Sequence, residues 1–430
     1  MFRAPLLLVS AISIPTFAGN VRVLSSLPAG STTTAMQIDT TGNIYLAGNT
    51  VASKAFVAKV SADGSRVIYY TIVSGPTAAD TAAAIVLGSD GSAYVAGSTS
   101  DTAFPVTAGA FEPTLDPAGQ TQGFLVKVNP AGTVVYSTYI NGKVYTQLTG
   151  MAIDSAGEIF LTGSGGPAYP VSTSPPVQGF ILKLDAGLSR VLLSVYGYGG
   201  GLIALDSQCN IYLAGSAQPA NVSGQFLSPP PPPAGAFQTT HLGGVCQAST
   251  GPGGPFEKPC PHQYVAKLDP TGKPRWATYV TGTYGETAAG MVVDNAGSVV
   301  LAGTTNSTDY PVTPGAFQTS YPAAAAPLPG FGFVYIGPPD ATGNVTKVNA
   351  TGTGLVWSTF FGGSYEDQIT GMAIGPSGDI ILSGRAGSND IFLASDGASA
   401  GATQLVPGVR TASTWAARTT VFRCTAADGP

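Results

Sequence analysis

Apolar and polar positions alternate in short runs along the whole chain, and one arrangement of them recurs six times. Each copy has an apolar segment, a polar turn that usually carries Asp and Gly, a second apolar segment and a closing Gly. Short apolar runs bounded by turn-forming residues are typical of paired β-strands. The copies span residues 38–48, 87–97, 153–163, 205–215, 293–303 and 374–384.

Two more apolar segments follow these copies and complete a repeat of four predicted strands, named a, b, c and d in chain order. Self-similarity at this spacing is the signature of a repeat architecture. The third segment, of which AFVAKVSADG is one version, ends at Gly64, Gly132, Leu188, Gly272 and Gly352, and a shortened version ends at Gly397. The fourth segment spans residues 67–73, 134–140, 191–197, 275–280 and 355–361.

The repeat predicts an all-β fold, a β-propeller built from four-stranded antiparallel blades. Blades arranged around an axis bury both faces of each sheet against their neighbours and leave only short, protected edges. We expect six blades, with seven as the alternative. The sixth repeat lacks a clear d strand, and we predict that the apolar residues 21–27 complete it as a closing N-terminal strand, with residues 419–424 as the competitor.

The recurring charged residues of the repeat are predicted to be structural. An Asp that opens a turn caps its own backbone, and the Gly that follows accepts the positive φ of a bulged hairpin. A calcium site would need a run such as Asp-x-Asp-x-Asp-Gly, which the sequence lacks. The lysines that end the c strands are expected to lay their stems on the blade and to keep the ammonium in water. The turn residues are Asp39, Asp154, Asp206 and Asp294, and the lysines are Lys59, Lys127, Lys183, Lys267 and Lys347.

Composition supports strands and turns, and it removes two classes of partner. The 430 residues include 57 Gly and 34 Pro, with 44% hydrophobic and 10% charged residues. Intrinsic disorder would require fewer apolar and more charged residues. The net charge of −5 provides no basic surface for nucleic acid or for an anionic membrane, so we expect neither as a partner.

The N-terminal residues predict export. Arg3 precedes an apolar run over residues 5–17, and Thr16 and Ala18 are small residues suited to the −3 and −1 positions of a cleavage site. The run is short for a bilayer span, and no later segment is long and apolar enough for one. We therefore expect a protein that is secreted or held at the cell surface. The predicted divisions are a signal peptide at 1–18, the propeller at 19–397 and a tail at 398–430 that could share in ring closure.

Four cysteines fit an oxidising compartment. Cys246 and Cys260 lie within one Pro- and Gly-rich insertion and could close a local loop. Cys209 lies at a repeat turn and Cys424 near the C-terminus, so a bond between them would tie down the chain end. Four cysteines allow three pairings, and we favour the bond between residues 246 and 260 because they are close in sequence.

Zinc is the alternative role for this insertion. It also contains the only two histidines of the chain, His241 and His262. Two Cys and two His could form a tetrahedral zinc site. The spacing H-x4-C-x13-C-x-H matches no common zinc finger, and we favour the disulfide. We predict no metal and no cofactor.

Three different phrases also recur in a fixed order along the chain. They include VYSTYING at 135–142, WSTFFGGSYEDQITGMAI at 357–374 and STDYPVTPGAFQTS at 307–320, and the last is echoed by FPVTAGAFEPT at 104–114 and AGAFQTT at 234–240. These strings resemble the bacterial SBBP β-propeller repeat proteins, over roughly residues 21–397. The resemblance implies a propeller of the kind found in exported or cell-surface proteins. It implies no catalytic residues.

Nearly all variation in repeat length falls between strands b and c, with long insertions at 216–263 and 304–343. These loops should leave the blades at one end and gather on one rim, and long loops on a rigid scaffold are where binding sites usually lie. We predict a binding surface for protein or carbohydrate there. The alternative is that the aromatic residues of the PVTPGAF-like segments pin their own loops to the blade edges, and for these segments we favour it because their repetition indicates a structural need. The candidate ligand-binding residues are Phe104, Phe111, Tyr169, Phe237, Tyr310, Phe317 and Tyr321.

No catalytic set is convincing. A Ser-His-Asp triad would have to use a histidine on a Pro-rich loop without a nucleophile elbow. A carboxylate pair for glycoside hydrolysis stays open because such a pair is spatial. We therefore predict a non-catalytic binding or scaffolding module, with a polysaccharide-active hydrolase or lyase and a structural cell-surface component as alternatives. The candidate acids are Asp80, Asp101, Glu286, Asp309, Glu366 and Asp367.

Overall fold

The structure is a computed structural model, and it describes the following parts of the chain. They are residues 27–28, 31–62, 64–116, 121–167, 178–198, 200–217, 231–241, 243–249, 256–322, 341–374 and 380–386. These residues form strands that are joined by turns and loops. Among them there is no helix long and apolar enough to cross a membrane.

Five sheets of four antiparallel strands form five blades, and in each sheet the strands lie side by side in chain order. The predicted a, b, c and d strands are therefore confirmed for these blades. Blade 1 contains β1 (Thr32–Ile38), β2 (Ile44–Asn49), β3 (Ala55–Val60) and β4 (Val67–Ile72). Blade 2 contains β5 (Asp80–Leu87), β6 (Ala93–Thr99), β7 (Gln122–Val128) and β8 (Val134–Ile140). Blade 3 contains β9 (Gly142–Ile153), β10 (Ile159–Pro167), β11 (Gln178–Leu184) and β12 (Val191–Tyr196).

Blade 4 is interrupted by a hairpin that the sequence did not predict. The hairpin lies in the Pro- and Gly-rich insertion between strands b and c. Blade 4 contains β13 (Leu202–Leu205), β14 (Ile211–Ala217), β17 (His262–Leu268) and β18 (Pro274–Tyr279), and the hairpin contains β15 (Val245–Ser249) and β16 (Phe256–Pro259). Blade 5 contains β19 (Glu286–Val293), β20 (Val299–Thr305), β21 (Thr342–Val348) and β22 (Leu355–Phe361).

The sixth repeat forms a sheet of two strands, β23 (Asp367–Ile374) and β24 (Ile380–Ala386). The described residues thus contain five blades and not the six or seven that we expected. The predicted third strand, which ends at Gly397, lies outside the described residues. Residues 21–26 and 419–424, the candidates for ring closure, also lie outside them, so closure by an N-terminal strand is not shown.

The innermost strands define the arrangement around the axis. Strand β1 contacts β5, β5 contacts β9, and the series continues through β13, β19 and β23. Strand β23 also contacts β1, so the two-stranded sheet lies between blade 5 and blade 1. The middle strands β6 and β20 are buried along their whole length, as expected where both faces of a blade are packed against neighbours.

The hydrophobic core is divided into layers between consecutive blades. One layer joins Tyr94 and Leu125 of blade 2 to Leu161 and Leu182 of blade 3. Other layers repeat this arrangement around the ring. Each fully buried side chain of this size contributes about 1.5–3 kcal/mol. Removing surface from water between every pair of blades therefore stabilises the ring as a whole.

The a–b turns of blades 1, 3 and 5 have the predicted chemistry, whereas Gly88 opens the turn of blade 2 and Cys209 takes the positive φ in blade 4. In blade 1, the carboxylate of Asp39 accepts hydrogen bonds from the backbone N–H groups of Thr41 and Asn43 at 3.0 and 2.9 Å, and Gly42 has a φ of 87°. Burial raises the pKa of Asp39, but these hydrogen bonds outweigh it and lower the pKa to about 2. The turn role of this residue is confirmed.

The recurrent lysines have a partner that the sequence analysis missed. Lys59 lies 3.6 Å from the Asp39 carboxylate and 4.7 Å from the centre of the Tyr45 ring, on the neighbouring strand. The same ion pair recurs in the other blades, so the ammonium groups are paired and not simply solvated. The remaining pairs are Lys127–Asp90 at 2.9 Å, Lys183–Asp154 at 3.6 Å, Lys267–Asp206 at 3.1 Å and Lys347–Asp294 at 2.6 Å.

Candidate functional site

The b–c insertion of blade 2 folds back along the outer strand β8. The N–H of Thr107 donates to the carbonyl of Ser137 at 3.1 Å, and the N–H of Tyr139 donates to the carbonyl of Glu112 at 3.1 Å. We call residues 104–112 the covering segment of blade 2. It supplies partners for backbone groups that an edge strand would otherwise leave unpaired.

Blades 4 and 5 have covering segments of the same kind, at residues 233–238 and 310–318. The N–H of Tyr279 on β18 donates to the carbonyl of Gln238 at 3.0 Å. On β22, the N–H of Phe360 donates to the carbonyl of Gln318 at 3.1 Å. The PVTPGAF-like phrases therefore repeat because they protect outer strands.

A glutamine side chain fastens the end of two covering segments. The amide of Gln238 donates to the carbonyl of Thr281 at 3.3 Å and accepts from its N–H at 3.1 Å. Gln318 makes the same two bonds to Gly362, both at 3.1 Å. Each amide thus closes a two-bond clamp on the residue that follows the d strand.

Blade 2 has a glutamate at the clamp position. A carboxylate oxygen of Glu112 accepts the N–H of Asn141 at 2.6 Å. Burial raises the pKa of Glu112 to about 7, against hydrogen bonds from Asn141, and the nearby Asp116 adds to the rise. Only the protonated carboxyl carries both a donor and an acceptor, as the glutamine amide does.

Five of the seven predicted aromatic residues lie on the covering segments of three blades. Phe104 and Tyr310 are buried, with exposed fractions of 3% and 2%. Phe104 stacks on Phe124 at 4.8 Å, and the Tyr310 hydroxyl bonds to that of Thr346 at 2.8 Å. These contacts favour the interpretation that both residues pin their loops. Their role in ligand binding stays a prediction.

The other predicted aromatics are more accessible. Phe317 is 48% exposed, and the ring of Tyr321 packs against Phe360 at 5.3 Å. Phe237 is half-buried, and Phe111 packs against the core between blades 2 and 3. Tyr169 lies outside the described residues. The structure thus distributes the candidates over blades 2, 4 and 5.

A groove of about 510 Å³ lies between blades 4 and 5, at the end that carries the a–b and c–d turns. Residues 233–236 of the blade 4 covering segment form one wall, and residues 350–353 of the blade 5 turn form another. Trp276 is largely buried and forms the floor, where its indole N–H donates to the carbonyl of Ala350 at 2.9 Å. A Cβ at Gly352, which has a φ of 70°, would clash with this indole ring.

The charges around the groove are balanced. Lys267 pairs with Asp206 at 3.1 Å, and Arg275 pairs with Asp269 at 3.0 Å. The Arg275 side chain is 59% exposed, so its remaining N–H donors face solvent. Around these pairs lie exposed amide and hydroxyl groups, which belong to Gln208, Thr351 and Thr353.

The sequence analysis placed the binding surface on the opposite rim and missed this groove. The blade 4 insertion leaves at the b–c end but runs along β18 to the turn end, where the N–H of Phe237 bonds to the carbonyl of Gly352 at 2.9 Å. A signal was present in the sequence. Arg275 is the only charged residue among the five predicted d strands, and a tryptophan follows it.

The Cys- and His-containing insertion is closed by a disulfide between Cys246 and Cys260, whose Cα atoms lie 4.8 Å apart. The two sulfurs are bonded to each other and do not ligate zinc. Cys209 is also in a disulfide, and Cys424, its predicted partner, lies outside the described residues. No group of three or more potential metal ligands occurs within the described part of the chain.

The two histidines do come together, as a stack beside this disulfide. The rings of His241 and His262 lie 4.9 Å apart with nearly parallel planes. His262 is buried, and its Nδ1 lies 2.7 Å from the Thr281 hydroxyl and 3.3 Å from a carboxylate oxygen of Glu286. The arrangement is an internal polar cluster closed from solvent on the His262 side.

The candidate acids hold loops. Three of them are the first residue of an a strand and accept the N–H of a glycine in the loop before that strand. Two more lie in a b–c connection and accept an N–H from the loop that precedes the a strand of the same blade. The first group is Asp80 to Gly75 at 2.9 Å, Glu286 to Gly282 at 3.2 Å and Asp367 to Gly363 at 2.7 Å. The second group is Asp101 to Thr77 at 2.7 Å and Asp309 to Thr283 at 2.9 Å, while Glu366 accepts from the Gln368 side chain at 2.7 Å. Nothing in these contacts shows catalysis or excludes it.

Comparisons with known proteins find propellers and no sequence relative. No protein-family model matches the chain, and no curated protein matches it in sequence. The WD40 domain of Pan2 from Neurospora crassa matches with 8% identity over 83% of this chain and 74% of that chain, at a TM-score of 0.42. A polysaccharide lyase, an ulvan lyase, matches with 9% identity over 81% of this chain and 75% of that chain, at a TM-score of 0.43. A protein of unknown function from Dyadobacter fermentans matches with 12% identity over 83% of this chain and 90% of that chain, at a TM-score of 0.41. No function follows from matches this distant, and the resemblance to the SBBP proteins stays a prediction.

Proposed function

We propose that this chain is an exported, non-catalytic binding module that takes a neutral, polar ligand of saccharide size in the groove between blades 4 and 5. The observation that carries the proposal is the groove itself. It is walled by an insertion that interrupts the repeat, while its floor belongs to the rigid blades. Binding sites are commonly concave and largely preformed, with a few converging polar groups.

The chemistry of the groove favours a carbohydrate over an anion. Both cationic residues already have a carboxylate partner, so the groove offers little net charge to a phosphate or a carboxylate. The exposed polar groups of the groove are the remaining donors of Arg275, the Gln208 amide and the hydroxyls of Thr351 and Thr353. The two hydroxyls bond to each other at 2.8 Å and keep further capacity to accept or donate. Such groups suit the hydroxyls of a sugar, which donate and accept in close alternation.

A glycan array with the mature chain, beginning after Ala18, tests this function. We expect binding that falls about tenfold or more in Arg275→Ala, because one charge-assisted hydrogen bond is lost. Val356→Ala is the matched control, since Val356 occupies the equivalent position of blade 5 and lies outside the groove. An array without bound glycans would contradict the proposal, as would equal binding by the Arg275 variant.

A protein ligand on the covering segments is the second candidate. The observation that favours it is the exposure of Phe317, which is 48% accessible although it belongs to a segment with buried aromatic neighbours. Phe111, Phe237 and Tyr321 are the other described residues that could share this surface. Phe317→Ala should then weaken capture of a partner and leave folding unchanged, whereas unchanged capture would contradict it.

A polysaccharide-active hydrolase or lyase on this scaffold is the alternative from another class. It would need two carboxylates that act together on a substrate. Five of the candidate acids accept backbone N–H groups from loops, and no two of them are shown to act together. Product release from a glycan recognised on the array would favour the enzyme instead.

We further propose that the chain is a six-bladed, exported propeller of the SBBP type. Strand β23 contacts both β19 and β1, which is the position of a sixth blade, and the disulfides are compatible with an oxidising compartment. Residues 21–27 would then supply the missing d strand. Deleting residues 19–26 should lower the unfolding midpoint of the mature chain, and an unchanged midpoint would contradict this closure.

A further inference from the structure

Strand β4 of blade 1 is an outer edge that no covering segment reaches among the described residues. The b–c connection of blade 1 is a tight turn, in which the N–H of Thr50 bonds to the carbonyl of Lys54 at 2.9 Å. It contains no insertion. The outer strands β8, β18 and β22 each lie under a covering segment, and the blade 3 connection at 168–177 lies outside the described residues.

The exposed fractions of side chains on the outer strands differ between covered and uncovered blades. Ile72 on β4 is 45% exposed, whereas its counterparts on covered strands, Tyr139 on β8 and Phe360 on β22, are each 1% exposed. The blade positions are equivalent because each precedes the last residue of the d segment. The fourth counterpart, Tyr279 on covered β18, is half-buried, so among these four strands the exposed fraction is highest where no covering segment lies.

The backbone of β4 carries the same outward groups as the covered strands. The N–H of Val73 bonds inward to the carbonyl of Ala55 at 2.9 Å, so strand alternation turns the N–H of Ile72 and the carbonyl of Tyr70 outward. In blade 2 the corresponding groups bind the covering segment. At β4, no described residue supplies a partner for either group.

The side chains of β4 include none of the features that usually prevent a further segment from binding to an edge strand. Its sequence, VIYYTI, has neither a charge nor a proline, which are the usual means of protecting an edge. By contrast, β18 carries Pro274 and Arg275 and is covered as well. The edge of blade 1 is therefore an unprotected edge, and it is the one whose b–c connection is fully described and contains no covering segment.

We propose that β4 binds a segment of a second polypeptide that resembles the covering segments of this chain, of which PVTPGAFQTS at 311–320 is one. Such a segment makes a β-turn and binds the strand backbone on either side of it, as Thr313 and Gln318 do on β22. Three such segments already lie on equivalent strands of the same ring, and they demonstrate the chemistry that these edges accept. The chain ends have other predicted places. Residues 21–27 are predicted to complete the sixth blade, and a bond from Cys424 to Cys209 would hold the tail at blade 4.

This surface is separate from the groove between blades 4 and 5, and the proposal does not depend on what the groove binds. It adds a protein-binding edge to the molecule. The main contribution is expected from backbone hydrogen bonds, with specificity from the side chains of the added segment.

The test uses the full mature chain and a fluorescently labelled PVTPGAFQTS peptide. We expect saturable binding by fluorescence anisotropy, and a loss of at least about tenfold in affinity for Ile72→Pro, because proline removes the outward N–H. Ile72→Val, the matched control, keeps the N–H and should bind as the unchanged chain does. Proline is tolerated at an edge position whose N–H faces away from the sheet.

Hydrogen exchange on the unchanged chain gives a second readout, independent of whether the proline variant folds. Addition of the peptide should slow exchange at the amide of Ile72 and leave β8, β18 and β22 unaffected. The proposal is overturned by an absence of saturable binding at millimolar peptide, by slowing at another strand, or by full binding to folded Ile72→Pro. It is also overturned if light scattering shows a dimer that Ile72→Pro converts to a monomer, since a second copy would then occupy the edge.

Discussion

Blade 5 and blade 1 are built from the same four strands, yet their outer edges differ. Blade 5 carries a covering segment that is pinned by buried Tyr310 and clamped by Gln318, whereas blade 1 turns directly from b to c and leaves Ile72 exposed. The inner strands of both blades pack against neighbours in the same way. The repeat therefore specifies the scaffold. The presence or absence of an insertion between strands b and c decides which outer strands are accessible for binding.

The covering segments also show that aromatic residues can recur in a repeat protein for a structural reason. Recurrence across blades favoured a structural role for these segments, and the repeated hydrogen bonds to the outer strands support that interpretation. The groove between blades 4 and 5 lies where the blade 4 covering segment meets the c–d turn of blade 5. Four predictions test the comparison between covered and open edges.

The largest effect is expected from removing the anchor of a covering segment. Tyr310→Ala should lower the free energy of unfolding by about 3–5 kcal/mol, because a fully buried aromatic side chain leaves a cavity. Phe317→Ala, in the same segment but half exposed, should cost less than about 1 kcal/mol. Urea denaturation measures both. Equal losses would mean that the segment is not pinned by its buried member.

The next effect concerns the longest insertion, which has a disulfide. Replacing Cys246 and Cys260 together by Ser should lower the free energy of unfolding by about 2–4 kcal/mol, because the unfolded chain regains the freedom of a closed loop. Hydrogen exchange should rise in the hairpin β15–β16 and stay unchanged in blade 1. Unchanged stability in the double variant would contradict a structural role for this bond.

A smaller, pH-dependent effect is expected at the clamp of blade 2. The folded state raises the pKa of Glu112 to about 7, so it holds a proton that the unfolded chain has already released. Stability from this group is present below the ordinary carboxyl pKa and is lost as the pH rises to about 7. Glu112→Gln should therefore stabilise the protein at about pH 8, by on the order of 1–2 kcal/mol after allowance for solvent screening.

The control for this prediction is Gln318→Glu, which puts a carboxyl into the clamp of blade 5. It should introduce the same loss of stability with rising pH. Urea denaturation at about pH 4 and pH 8 measures both variants. A constant difference between Glu112→Gln and the unchanged chain at the two pH values would contradict a protonated clamp.

The smallest loss of stability is expected from removing a turn-end ion pair, and it should be the same in blade 1 and blade 5. Lys59→Met in blade 1 and Lys347→Met in blade 5 each remove one ion pair at the turn end, which is common to open and covered blades. Each should cost about 1 kcal/mol or less, because both pairs are partly exposed. A markedly larger loss in one blade would show that covering an edge also changes the opposite end.

The strands were predictable because their signals are local. Apolar runs, Asp caps and positive-φ glycines such as Gly42 are read within a few residues, and five complete blades follow them. For the sixth repeat, the first hairpin is described, and its predicted third strand lies outside the described residues. The hairpin β15–β16 was missed because a Pro- and Gly-rich composition masks two short strands whose pairing a disulfide supports.

The candidate site was less predictable, because it depends on contacts between distant residues. Sequence analysis joined Cys246 to Cys260 correctly from proximity, and it put both histidines in one insertion. It could not foresee that Lys267 pairs with the turn Asp206, which is 61 positions away. Neither could it foresee that the blade 4 insertion would reach the turn end of blade 5.

By itself, the sequence determined the four-stranded repeat, the chemistry of the turns and the places where the repeat is interrupted, since each depends on short-range pattern and backbone preference. Tertiary structure alone decided which outer strands are covered, where the groove forms and which edge stays open. Those outcomes depend on the path of each insertion through space, and that path is set by hydrogen bonds and packing with residues far away in the chain.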